Sequence, residues 1–199
     1  MTSETTLHVV VDASAEIAMR WYFALGTMLS EEFSLSTTEL QGAGKAWPAN
    51  YQPSAGAFGL GLLEDTTSSG YIAYDWNAGA ASARPFSDTH PLRFRAGIDY
   101  GAATFFIIAP TLSNGWTILG KSSKFIPISR QRMTSVILGR STVMIRLVGA
   151  ANEVVRLSAV PPRRQEVGNE AGAIVVRQFT CKLPESGQAT LILPNGDCA

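Results

Sequence analysis

Short stretches of β character recur along this chain about every ten residues, separated by Gly, Pro and Asn-Gly breaks. Residues 6–11 are rich in β-branched side chains. Leu92, Phe94, Ala96 and Ile98 alternate with Arg93 and Arg95, the period of a strand with one face buried. Residues 104–109 are apolar almost throughout and predict a strand buried on both faces. Asn114-Gly115 then fits a tight turn into the stretch from Trp116 to Leu119. Three further stretches, 134–138, 142–148 and 154–160, have short connections and predict an antiparallel meander. Pro161-Pro162 ends it, and after a polar loop residues 173–183 and 190–193 predict a last hairpin across Pro184-Glu185-Ser186-Gly187.

One segment carries two patterns. Ile17, Met19, Trp21, Phe23 and Leu25 alternate as a strand does, while Ile17, Trp21, Leu25, Met28 and Leu29 share one helical face behind Asp12 or Ser14 as a cap. The strand is the expectation. Residues 41–61 are rich in Gly, Ala and Pro and predict a long loop with no second domain. Residues 1–199 are therefore expected to form one all-β domain, an antiparallel β-sandwich or jelly roll of ten or more strands.

Charge changes this picture more than hydropathy does. Apolar residues make up 46% of the 199 and charged residues only 16%, below the roughly 25% usual for soluble domains. A chain short of surface charge often hides surface against a partner or against its own copies. The formal net charge is zero, yet it is unevenly spread. Lys121, Lys124, Arg130, Arg132, Arg140, Arg146, Arg156, Arg163 and Arg164 are opposed between 121 and 164 only by Glu153, and acids dominate the first hundred residues. Such asymmetry suits a polyanion, or an acidic face of one copy meeting a basic face of another. Arginine outnumbers lysine, which favours planar, bidentate contacts to phosphate or carboxylate.

Candidate chemistry is sparse. Gly115-Trp116-Thr117-Ile118-Leu119-Gly120-Lys121-Ser122 spells the P-loop expression, but Trp-Thr-Ile-Leu favours a strand and Pro127 interrupts the helix that must follow. His8 and His90 have no second histidine or cysteine at ligand spacing, so no metal site is expected. Asp75, Asp88 and Asp99 lie near Trp76, Phe86 and Tyr100, a set a glycoside hydrolase could use, yet each acid also suits a turn. Cys181 and Cys198 are expected as free thiols of a reducing compartment, with a bridge the alternative. The start of the chain has no secretory-signal pattern, and no apolar run is long enough for a membrane span. No enzymatic activity, cofactor or membrane partner is expected.

Gly70-Tyr71-Ile72-Ala73-Tyr74-Asp75-Trp76-Asn77 looks like the glycine-led strand ending in an acidic turn of several viral coats, and residues 173–183 look like their closing strand. With the size and the many short strands, the chain resembles the jelly-roll coat proteins of small icosahedral positive-strand RNA viruses. That resemblance implies a virion subunit, assembled in the host cytoplasm, whose partners are copies of itself and RNA. Coats of this class commonly start with a basic arm, whereas this chain starts Met1-Thr2-Ser3-Glu4. The expected RNA contact therefore moves to Arg130, Arg132, Arg140, Arg163 and Arg164. The alternative is a lectin-like β-sandwich that stacks sugars on Trp47, Tyr51, Trp76 and Trp116.

Overall fold

A computed structural model describes residues 6–12, 20–26, 32–37, 70–95, 104–124, 127–129, 131–162 and 174–199. These residues form an all-β protein of antiparallel sheets, as the alternation predicts. The long loop over 41–61, the polar loop before 174 and the aromatic pair Trp47 and Tyr51 lie outside the described residues.

The first half is organised around a five-stranded sheet. It contains β1 (Thr6–Asp12), β2 (Arg20–Gly26), β4 (Tyr71–Asp75), β5 (Arg84–Phe86) and β7 (Thr104–Pro110), in the order β1-β2-β7-β4-β5. The two-pattern segment is thus a strand over its C-terminal part. Two shorter strands, β3 (Glu32–Leu35) and β6 (Leu92–Arg95), pair as a separate ribbon with Leu35 opposite Leu92.

The second half is a two-sheet sandwich. One sheet has four strands, β9 (Met133–Leu138), β10 (Val143–Val148), β13 (Gln188–Leu193) and β14 (Asp197–Cys198), in the order β14-β13-β10-β9. The other has three, β8 (Thr117–Gly120), β11 (Val154–Val160) and β12 (Arg177–Lys182), in the order β12-β11-β8.

The core explains the composition of β7. Phe105, Ile107 and Ala109, with Ile72 and Tyr74 of β4, join the core shared with the second-half sandwich. Phe106 and Ile108, with Tyr71, Ala73 and Phe86, pack instead with Leu35 and Leu92 of the ribbon. The register agrees, since Ile72 lies opposite Ala109, Tyr74 opposite Ile107 and Ala73 opposite Ile108. Successive side chains point to opposite faces, so a sheet covered on both sides requires a continuous apolar run. The doubly buried strand expected at 104–109 is what forms.

Connectivity departs from expectation at two places. The predicted meander holds between β9 and β10, which pair, but β10 pairs next with β13 and β11 with β12. The chain therefore crosses from one sheet to the other between β10 and β11, and crosses back between β12 and β13. The predicted last hairpin is this second crossing. The two crossings lie side by side: Gly149 N–H donates to Gly187 O at 2.8 Å, and Leu183 N–H to Glu153 O at 2.8 Å. Gly187 has a φ of 69°, and a Cβ there would run into Gly149 O, so both close approach and backbone conformation call for glycine. Turn residues and short spacing look alike for a hairpin and for a crossing, which is why the sequence pattern did not separate them.

Cys181 and Cys198 are joined in a disulfide, with their Cα atoms 5.4 Å apart, correcting the expectation of free thiols. Cys181 points inward from β12, while the turn at Gly196 returns the chain along β13 and brings Cys198 to it. The bridge links the edge strands of opposite sheets.

Candidate polyanion-binding face

The basic segment distributes over the sandwich according to strand alternation. In β11, Val155 and Leu157 turn inward and are buried, which turns Arg156 outward into solvent. Thr180 of β12 lies opposite Arg156, and Lys182 lies opposite Val154. Arg156 and Lys182 are thus diagonal neighbours on one outward face, about 7–8 Å apart at the backbone. Val154, Thr180 and Gln178 complete the exposed part of the face. None of these strand positions carries an acid.

A turn covers the far end of this face. Ser158 points outward by alternation yet is completely buried, because its hydroxyl lies 2.8 Å from Ser122 Oγ in the turn from Lys121 to Lys124. That bond seats the turn over β11 and leaves Lys124 exposed on it.

Glu153, the one acid of the basic segment, is already occupied. Arg132 Nη1 donates to Glu153 Oε2 at 2.7 Å and to Val148 O at 2.9 Å, and Lys121 Nζ lies 3.5 Å from Glu153 Oε1. Ala150 N–H also donates to Oε2. The hydrogen bond from Arg132 comes first among the causes that hold the Glu153 carboxyl below its ordinary range, with Ala150 N–H and the charges of Arg132 and Lys121 adding to it against a desolvation that raises it. The cluster ties β8 and β9 to the first sheet crossing.

A carboxyl lowered in the folded state stabilises the fold above its unfolded pKa of about 4.3, and that contribution disappears as pH falls through the lower folded value. Glu153 is about a quarter exposed, so its pairing is worth roughly 1 kcal/mol rather than a buried-pair value. Glu153→Gln is expected to lose that amount at pH 7 in urea unfolding. The gap to wild type should shrink progressively as pH falls below about 4.3, and a gap that stays the same size as the carboxyl is protonated would contradict the pairing.

The five arginines expected to meet RNA do not form one cluster where they are described. Arg132 is held at the crossing end of β9, and Arg140 is exposed at the opposite end, in the β9–β10 turn. Asn114 Nδ2 fixes that turn by donating to Gly139 O and Thr142 O. Arg130, Arg163 and Arg164 lie outside the described residues. Arg146 and Arg156, one on each side of the first crossing, point away from opposite sheets of the sandwich. Lys182 was not singled out from the sequence, although the alternation Phe179-Thr180-Cys181-Lys182 carries the signal for its outward position.

Other candidate chemistry resolves into structure. The P-loop look-alike is the buried strand β8 and its flanks, with Gly120 followed by a turn. Trp116 is core, donating from Nε1 to Ser141 O at 3.3 Å and meeting Phe179 edge to face at 6.3 Å, so it cannot stack on a sugar. Asp75 Oδ1 accepts from Asn77 N–H at 2.8 Å, the turn-forming role. His90 Nδ1 lies within 3.2 Å of Ser87 Oγ and 3.1 Å of Thr89 Oγ1 in an exposed local turn. Asp99 and Tyr100 lie outside the described residues, as does the His8 side chain. Among the described residues no group of three or more His, Cys, Asp or Glu could hold a metal ion, and no helix is long and apolar enough to cross a membrane. The chain matches no protein-family model and no curated protein.

Proposed function

We propose that this chain is a self-assembling structural protein, most concretely the coat subunit of a small RNA virus, which contacts RNA through outward arginines and lysines. The reading rests above all on Arg156 and Lys182, side by side on a sheet face whose strand positions hold no acid. Phosphate recognition needs only such a cluster, without a preorganised pocket. Lys124 and Arg140 are exposed as well, and Arg130, Arg163 and Arg164 belong to the same proposal by their place in the segment. The low charged fraction fits a subunit that covers much of its surface with neighbours. The nested pairs β10–β13 and β11–β12, folded across two sheets, are the arrangement that a jelly-roll ribbon produces. The virion, with assembly in the host cytoplasm, is the corresponding location.

The Arg156→Ala/Lys182→Ala double variant tests the reading through single-stranded RNA binding measured against salt. Two lost phosphate contacts should lower affinity and flatten the slope of log K against log salt by about 1.4. An unchanged slope would remove this face from the RNA contact.

A further inference from the structure

The outward face of the four-stranded sheet carries a different pattern. Ile137 of β9 lies opposite Met144 of β10, Met144 opposite Ile192 of β13, and Ile192 opposite Asp197 of β14. Alternation turns this whole row away from the core, because Val136, Val143, Ile145, Leu191 and Leu193 point inward and are buried. Ile137 is 46% exposed, and Met144 and Ile192 are partly exposed. Three large apolar side chains in one row on a solvent face stand out beside the polar outward residues Ser135, Arg146 and Thr190 of the same strands. One step along the strands, Arg146 stands between Ser135 and Thr190. Arg146 and Asp197 are both exposed, and neither forms an ion pair with any described residue. Among the described residues the Asp197 carboxylate accepts one bond, from Asn195 Nδ2 at 3.3 Å.

The positions of these two charges identify the occupant. Strands lie about 4.8 Å apart and two residues span about 6.8 Å, so Arg146 and Asp197 stand roughly 12 Å apart at the backbone, diagonally across the apolar row. A second copy laid face to face, about a two-fold axis in the plane of the face that bisects the line between them, places each Arg146 over the partner's Asp197. On an idealised sheet that axis runs between Met144 and Ile192, so the same operation stacks apolar side chains at its centre. A two-fold contact must be self-complementary, and the strands of this face carry, among the described residues, one cation and one acidic side chain without ion-pair partners, with an apolar centre, in that arrangement.

We propose that the outward face of the β14-β13-β10-β9 sheet is a two-fold contact between copies of this chain, with Met144 and Ile192 at its centre and two reciprocal Arg146–Asp197 pairs at its rim. It deepens the self-assembly reading by naming one of its contacts, and it is distinct from the basic face carrying Arg156 and Lys182 on the other sheet.

Charge exchange on the full-length protein tests it. Arg146→Asp sets Asp against Asp197 of the second copy, and Asp197→Arg sets Arg against Arg146. Each single variant, folded by circular dichroism, should need about tenfold or more higher protein concentration to associate in low-salt sedimentation velocity. The Arg146→Asp/Asp197→Arg double variant restores opposite charges and should recover association to within about twofold of wild type. Singles that associate like wild type, as when another segment of the chain covers the face, would overturn the proposal. So would a double variant as weak as either single. A wild-type dimer that obeys the exchange but never forms larger particles would support this contact and refute the coat reading. Large particles indifferent to all three variants would refute the contact and leave the coat reading standing.

Discussion

Ile107→Ala and Ile108→Ala should each destabilise the protein by about 3 kcal/mol, although the two residues are neighbours in one strand. An ordinary half-buried strand gives a large loss at one position and a small one at the next. Here Ile107 faces the core shared with the sandwich, Ile108 faces the core under the β3–β6 ribbon, and both are fully enclosed. For a chain of this size each loss corresponds to a fall in melting temperature of roughly 6–12 °C. The β10 strand supplies the contrast. Ile145→Ala should cost a similar amount, whereas Arg146→Ala on the outward face of the isolated subunit should stay within about 0.5 kcal/mol. Thermal and urea unfolding of the four variants reads the pattern directly. A cost under about 1 kcal/mol for Ile108→Ala would mean that the ribbon does not seal the second face of the five-stranded sheet.

Reduction of the Cys181–Cys198 bridge should lower stability by about 3 kcal/mol, the loop-closure value for a separation of 17 residues. The bridge limits the unfolded chain and fixes the short terminal strand β14 against the edge of the opposite sheet. Cys198→Ser is the cleaner substitution, because Cys198 is partly exposed whereas a hydroxyl at the fully buried Cys181 would add its own desolvation penalty. The variant should melt at the temperature of the reduced wild type and show no response to reductant. Equal melting temperatures for wild type with and without reductant would show that the bridge carries none of the stability.

Much of this fold is legible along the chain because alternation is a local property. The inward positions of β10 to β13 follow mostly from their residue types, whereas the outward Ile137, Met144 and Ile192 do not, and the apolar run of β7 announces a sheet covered on both sides. Partner choice is not local. The turns at Gly149 and Gly187 look like hairpin turns in sequence, yet each sends the chain to the other sheet, because β10 finds β13 and β11 finds β12. The disulfide was hidden for the same reason: a separation of 17 residues says nothing about two strands in opposite sheets meeting at their edges. The basic segment was visible as a run of charges, but its division was not. Once the chain crosses between sheets, Arg146 and Arg156 point to opposite sides, and Glu153 at the crossing takes Lys121 and Arg132. Lys182, twenty-six residues beyond Arg156, joins the basic face only through the β11–β12 register.

Light scattering with negative-stain microscopy on the purified full-length protein, at low and at high salt, tests self-assembly most directly. Closed particles of uniform size that carry nucleic acid at low salt, seen in the ratio of absorbance at nucleic-acid and protein wavelengths, are the expected result. A monodisperse monomer or dimer under every condition would contradict the coat reading.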